Sequence, residues 1–237
     1  VQDQQHAPRD HSSAKALALI RDNHRCMVTG RLDSDSFTTG LTTDNPGEVI
    51  SVTNCCHIFP DSLGNIVADA SGPTVSCVAE HESATVRTIL ARFGYEDICE
   101  ELGLASTNAN LHRLENVMTL DIMLRNVFDR LNMWFEAIDG QENTYKVVLA
   151  GGAARLATKG VIPEQVTFTS HKAGLQLPSP KYLRVHAACC KIAHMSGAAE
   201  YLDMVYGEME ELKVLAHDGT SADVLCYAIH DRLAALT

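Results

Sequence analysis

Three stretches of this sequence carry residues able to move a proton or hold a charge. They are Cys26-Met-Val-Thr-Gly30, Cys56-His-Ile-Phe-Pro60 and Asn116-Val-Met-Thr-Leu-Asp-Ile-Met-Leu-Arg-Asn-Val-Phe-Asp129. His57 is the first group to consider. A neutral imidazole, with an ordinary pKa of about 6.5, takes a proton from water near neutral pH. Asn116 offers an amide that both donates and accepts. Arg125 and Asp129 stand four residues apart, so on a helix they share one face. There the Asp129 carboxylate, with Asn126 and Asp121 nearby, can hold a cation that neutralises charge developing on a scissile phosphate. Arg125 cannot join it as a ligand, because guanidinium stays charged and offers only donors. It suits a carboxylate, phosphate or enolate oxygen instead. Cys56 is a ligand for a soft metal such as Zn²⁺ and a poor one for Mg²⁺.

Regular elements must place these groups. Residues 1–12 read as a loose polar start, and 13–23 as a helix capped by Ser12 or Ser13. Residues 25–30 read as a short strand closed by a glycine turn, and 31–47 as a loop. The β-branched run 49–59 reads as a strand that Pro60 ends. An irregular excursion over 61–73 follows, then helical patterning over 82–93 and 95–103 with a break at Gly94. Residues 115–120 read as a strand. Residues 121–138 read as one helix, with Leu124, Phe128, Leu131, Trp134 and Phe135 forming an apolar core stripe. Strands are expected over 145–150 and 166–169, a proline-containing connector over 173–180, and helices over 182–195, 198–215 and 221–236. The expected class is α+β. The expected organisation is a flexible 1–12, a core with insertions over 13–170, and a C-terminal helical extension over 171–237 packed on that core.

Composition narrows the function classes. The chain has 237 residues, 46% of them hydrophobic, enough for a buried core. No window approaches the roughly 18–20 continuous apolar residues of a membrane helix, so no membrane association is expected. The start, Val1-Gln-Asp-Gln-Gln, lacks the basic and apolar regions of a secretory signal. It also lacks an initiator Met, which leaves room for a missing upstream segment. The net charge of −11 argues against broad electrostatic binding of nucleic acid. A nucleic-acid contact would need a local basic patch, drawn from Lys15, Arg21, Arg25 and Arg31 or from Arg113, Arg125 and Arg130. The eight cysteines include no C-x-x-C, which argues against a four-cysteine zinc ribbon. Several lie in apolar surroundings, which points to a reducing intracellular compartment, cytoplasmic or nuclear. Cys55 and Cys56 read as buried fillers. His186, Cys189, Cys190 and His194 have the spacing of a metal cluster but alternate with Ala and Ile, as a helix–helix contact does. His81, between Glu80 and Glu82, reads as a solvated helix start.

The three stretches, in their order, resemble the fungal HNH endonuclease-like family. That family has a C-x-x-T-G first strand, a H-I-x-P second strand, and an Asn separated by eight residues from a H-x-x-F-D helix. Pro180-Lys-Tyr-Leu-Arg-Val-His to Leu202, and Leu215-Ala-His-Asp-Gly219, resemble the C-terminal extension of the same proteins. The resemblance covers the chain from about Ala16 onward. It implies a ββα-metal (His-Me finger) core and hydrolysis of phosphodiester bonds. It makes His57 the general base and Asn116 the residue that ties the motif's loop to its own backbone and orients His57. It puts metal ligands at the first position of H-x-x-F-D and at Asp129, with Asn126 and Cys56 as further candidates. The chain departs at that first position, which is Arg125. Three functions follow. The first is a metal-dependent endonuclease, attenuated or inactive, using Mg²⁺ or Zn²⁺. The second is a metal-free enzyme in which His57 and Arg125 act on a small anionic substrate. The third is a catalytically silent interaction module.

Overall fold

The computed structural model describes residue 8 and residues 10–60, 63, 85–104, 110–157 and 159–211. His81, the 221–236 helix, the Leu215–Gly219 stretch and most of the 61–73 excursion lie outside the described residues. The fold is α+β, with small sheets and short helices. It divides into two compact units: Val1–Ile122 with Phe168–Leu183, and Met123–Thr167 with Arg184–Thr237. No helix among the described residues is long and apolar enough to cross a membrane.

In the first unit, α1 (His11–Arg21) begins two residues before the expected Ser13. Asp10 is its N-cap: its carboxylate accepts from the Ser13 N–H at 2.7 Å, and Ser13 returns a bond to the Asp10 backbone. Residues 10–12 of the expected loose start over 1–12 are therefore ordered as the cap and first turn of α1. Ala14, Ala18 and Arg21 form the buried face of α1. After it, Asn23 and His24 take left-handed backbone angles and reverse the chain. The expected strand over 25–30 is therefore a turn. Only Arg25 bridges to Leu32, while the Gly30 N–H donates to the Cys26 carbonyl at 2.9 Å.

The expected loop over 31–47 contains β1 (Leu32–Asp33) and α2 (Ser34–Thr38). The buried Asp33 side chain caps α2 through Ser36 and accepts from Thr53 Oγ at 2.6 Å. The expected 49–59 strand splits at Val52 into β2 (Ile50–Ser51), parallel to β1, and β3 (Thr53–His57). β3 pairs antiparallel with β4 (Val117–Asp121), setting Thr53 opposite Asp121 and His57 opposite Val117. Helices α3 (85–92) and α4 (Glu96–Glu101) are separated at Gly94 as expected, where φ is +77°.

Arg21 is one of the residues from which a local basic patch could be drawn. It is instead fully buried, and presents no charge to a ligand. Lys15 pairs with Asp35, Arg25 with Glu48 and Arg31 with Asp121.

In the second unit, α5 (Ile122–Asp129) is far shorter than the expected 121–138 helix. Leu131 adopts φ +58° and turns the chain. Met133–Ala137 then forms β5 of an antiparallel sheet with β6 (Thr144–Leu149) and β7 (Gln165–Thr167). Trp134 and Phe135 are thus strand residues, although they are buried as expected. Their spacing fits a helix by coincidence. A residue run rich in aromatics, with a six-residue strand to pair with, prefers the sheet. After α6 (Ala154–Ala157), α7 (Pro180–Ser196) and α8 (Ala198–Glu211) are separated at Gly197, where φ is +78°.

The His186/Cys190/His194 face of α7 makes the expected helix–helix contact through His186, which packs on helix α5, and packs on the sheet through Cys190. His186 stacks on Phe128 at 3.8 Å, Cys190 joins Trp134 and Ala187 in a core cluster, and His194 Nε2 lies 3.1 Å from the Leu131 carbonyl. Cys189 is exposed. Burial pushes the Cys190 thiol up to about 12, so it serves as a filler.

Burial also pushes His186 down to about 4, from an ordinary 6.5. Below pH 6.5 the unfolded chain binds a proton that the folded one refuses. The second unit is thus expected to lose about 3 kcal/mol between pH 6.5 and 4 from this residue alone. Urea unfolding of His186→Gln at both pH values should show that part of the loss removed. An unchanged pH slope would refute the assignment.

Candidate functional site

The His57 end of the β3–β4 pair gathers polar groups from three parts of the first unit. Side chains alternate along a strand, so Cys55 and His57 share one face of β3 and Cys56 takes the other. α1 packs over the Cys55 face, where Ala14, Ala18, Cys55, Leu114, Val117 and Leu175 form an apolar cluster. That packing brings His11, at the start of α1, to 5.7 Å from His57 between ring centroids. The turn before β4 supplies His112, whose Nδ1 lies 3.2 Å from His57 Nε2. One of these nitrogens donates and the other accepts, so each ring fixes its neighbour's tautomer.

Asn116 holds this corner together. It is fully buried and makes three side-chain bonds to backbone. Its Oδ1 accepts from the Phe59 N–H at 2.9 Å, while its Nδ2 donates to the Phe59 carbonyl at 3.0 Å and the Leu111 carbonyl at 2.8 Å. The first two bonds fix the chain two residues after His57. The third fixes the chain one residue before His112. Phe59 is held further by an edge contact with Tyr182 at 5.4 Å. No family model, curated protein or solved structure matches this chain. Its functional reading rests on its own residues and geometry.

The remaining candidates fall elsewhere. Arg125 and Asp129 lie on α5 in the second unit, where Arg125 Nε donates to Asp129 Oδ2 at 3.2 Å. Both are partly exposed. Asn126 lines a cleft of about 390 Å³ in the second unit, along with Arg130, Asn132 and Asp203. There Asn132 Nδ2 donates to both Asp203 oxygens. Asp121 is buried in the first unit, where it accepts from Thr29 Oγ1 at 3.0 Å. Cys56 is buried on the strand face opposite His57.

Among the described residues, one group of three or more could hold a metal ion: His11, Cys55 and His57, with ligand atoms all within 4.8 Å of one another. Sequence reasoning chose Cys56 and missed both Cys55 and His11. Strand parity could have found Cys55, since residues 55 and 57 must share a face. The spacing Asp10-x-x-Ser13 places His11 in the first turn of α1, but only the packing of α1 on β3 brings that turn to His57.

Proposed function

We propose that this chain is an HNH-like protein that hydrolyses phosphodiester bonds weakly, with His57 as the base that activates water. The observation that carries the reading is the Asn116 clamp. A buried amide ties the chain just beyond His57 to the turn that bears His112. This is the role the resemblance assigns to that position.

The metal of such an enzyme does not fit the positions that the resemblance assigns to it. Arg125 has no lone pair to give and sets a positive charge 3.2 Å from Asp129, where it opposes a cation, and Cys56 is buried away from His57. The chemistry left to the chain's own residues is proton transfer at His57, with His112 holding its tautomer. Any nucleic acid would be met without Arg21, and the thiols suit a reducing intracellular compartment.

Nicking of supercoiled plasmid tests the proposal, in Mg²⁺, Mn²⁺, Ni²⁺ and Zn²⁺ and in chelator. Slow nicking is expected in the absence of Zn²⁺, falling about 100-fold or more in His57→Ala. Equal rates for the two proteins would sink it.

A second reading is favoured by the Arg125–Asp129 pair. Exposed helical pairs of this kind are worth only a few tenths of a kcal/mol. Arg125 can therefore leave Asp129 for a small anionic substrate at little cost, in a metal-free enzyme. Metal-independent turnover that is lost in Arg125→Ala would favour this reading. Retained cellular function in a His57/Arg125 double variant would instead mark an interaction module.

A further inference from the structure

We propose that His11, Cys55 and His57 bind one soft divalent cation of the Zn²⁺ class, with His112 bracing His57. The site goes beyond the hydrolase reading and stands whether or not that reading holds.

The geometry is close to what such an ion needs. Tetrahedral zinc, with bonds of about 2.0–2.1 Å to nitrogen and 2.3 Å to sulfur, sets its ligand atoms roughly 3.3–3.6 Å apart. The three ligand atoms here all lie within 4.8 Å of one another, so a closure of at most about 1.5 Å completes the set. Two ligands come from one face of β3 and the third from the first turn of α1. The packing of Ala14 and Ala18 against Cys55 fixes α1 relative to the strand. The ligands are thus presented by packed elements, not by an exposed loop.

Donor chemistry selects the ion. One thiolate and two imidazoles favour Zn²⁺ and its soft neighbours over Mg²⁺ or Ca²⁺, which prefer oxygen. Cys55 is 2% exposed, and its apolar surroundings strengthen the attraction between thiolate and cation. The positive end of α1 opposes a cation, and the thiolate charge offsets it. Metal-bound histidines are commonly held at their second nitrogen, and His112, 3.2 Å from His57 Nε2, is placed to do this. Three protein ligands leave a fourth position for water. An ion held this way occupies His57, so zinc and the base role exclude each other.

The test is titration of Zn²⁺ into the full chain against a chromophoric chelator, with Co²⁺ as a spectroscopic substitute. One equivalent should bind, and the Co²⁺ form should show a thiolate-to-cobalt charge-transfer band. Cys55→Ala should abolish that band. His11→Ala should weaken zinc binding at least tenfold, and His112→Ala by about tenfold. Cys189→Ser, at an exposed thiol, should change neither. Failure to bind one equivalent overturns the proposal, as does a band that survives Cys55→Ala. Should Cys55→Ala fail to fold by circular dichroism, His11→Ala decides: unchanged zinc affinity there refutes the site. None of these readouts involves nicking, so this proposal and the hydrolase reading fail separately.

Discussion

Replacing Arg21 with methionine should destabilise the first unit by about 3–5 kcal/mol and lower its melting temperature by roughly 10 °C. Every donor of this guanidinium is used inside the protein. Nε and Nη2 grip the two Asp22 oxygens at 2.7 and 2.9 Å. Nη1 donates to the carbonyls of Leu114 and Gln176, and Nη2 also to that of Val117. One side chain therefore joins the end of α1, the turn before β4, β4 itself and the 168–183 segment. The Arg21 carbonyl adds a bond from the His171 N–H at 2.8 Å.

Methionine fills much of the volume but takes the Arg21 donors from the Gln176 and Val117 carbonyls, leaves the Leu114 carbonyl with only the Val117 N–H, and leaves the Asp22 carboxylate buried without its partner. Losing one member of a buried pair costs far more than the pair is worth. Arg21→Met/Asp22→Asn, which removes the stranded charge, should recover part of the loss. A single variant within 1 kcal/mol of the wild type in urea unfolding would show that solvent replaces these bonds, contrary to this account.

Arg21 also shows what a sequence pattern conceals. In a run with Lys15, Arg25 and Arg31 it looks like surface charge, because long basic side chains are rarely buried. Its burial depends on carbonyl acceptors up to 155 positions away, which local spacing does not report. The same limit applies to Trp134 and Phe135. Their apolar period suits a helix after Asp121, yet pairing with Val148 and Val147 draws them into β5. Several local signals held. Gly94 and Gly197 do separate helices, β6 and β7 stand close to their expected positions, and the run before Pro60 does carry β3 with His57 at its end.

The site divides in the same way. His57 and Asn116 are legible from their motifs. His11 and His112 are not, because tertiary packing brings them in from α1 and the turn before β4. Of the two adjacent cysteines, the one beside His57 in sequence is the one turned away from it in space.

Asn116→Ala should be as damaging as the loss of Arg21 and should act on function as well. Three backbone groups depend on the amide: the N–H and carbonyl of Phe59 and the carbonyl of Leu111. Each costs about 1–3 kcal/mol when left buried and unpaired, and the relaxed total should be about 3–5 kcal/mol. The released chain carries Ile58 and Phe59 on one side and His112 on the other, so His57 loses both its anchored strand end and its fixed neighbour. Hydrogen exchange should show the Phe59 amide losing its protection while the β5–β6 amides of the second unit keep theirs.

Asn116→Asp separates the contributions. Its carboxylate can still accept from the Phe59 N–H, but it has no donor for either carbonyl, and it brings a charge into a fully buried position. It should therefore be no more stable than Asn116→Ala despite its nearly identical shape. An aspartate variant close to the wild type in stability would mean that shape, and not the two donated bonds, holds the corner.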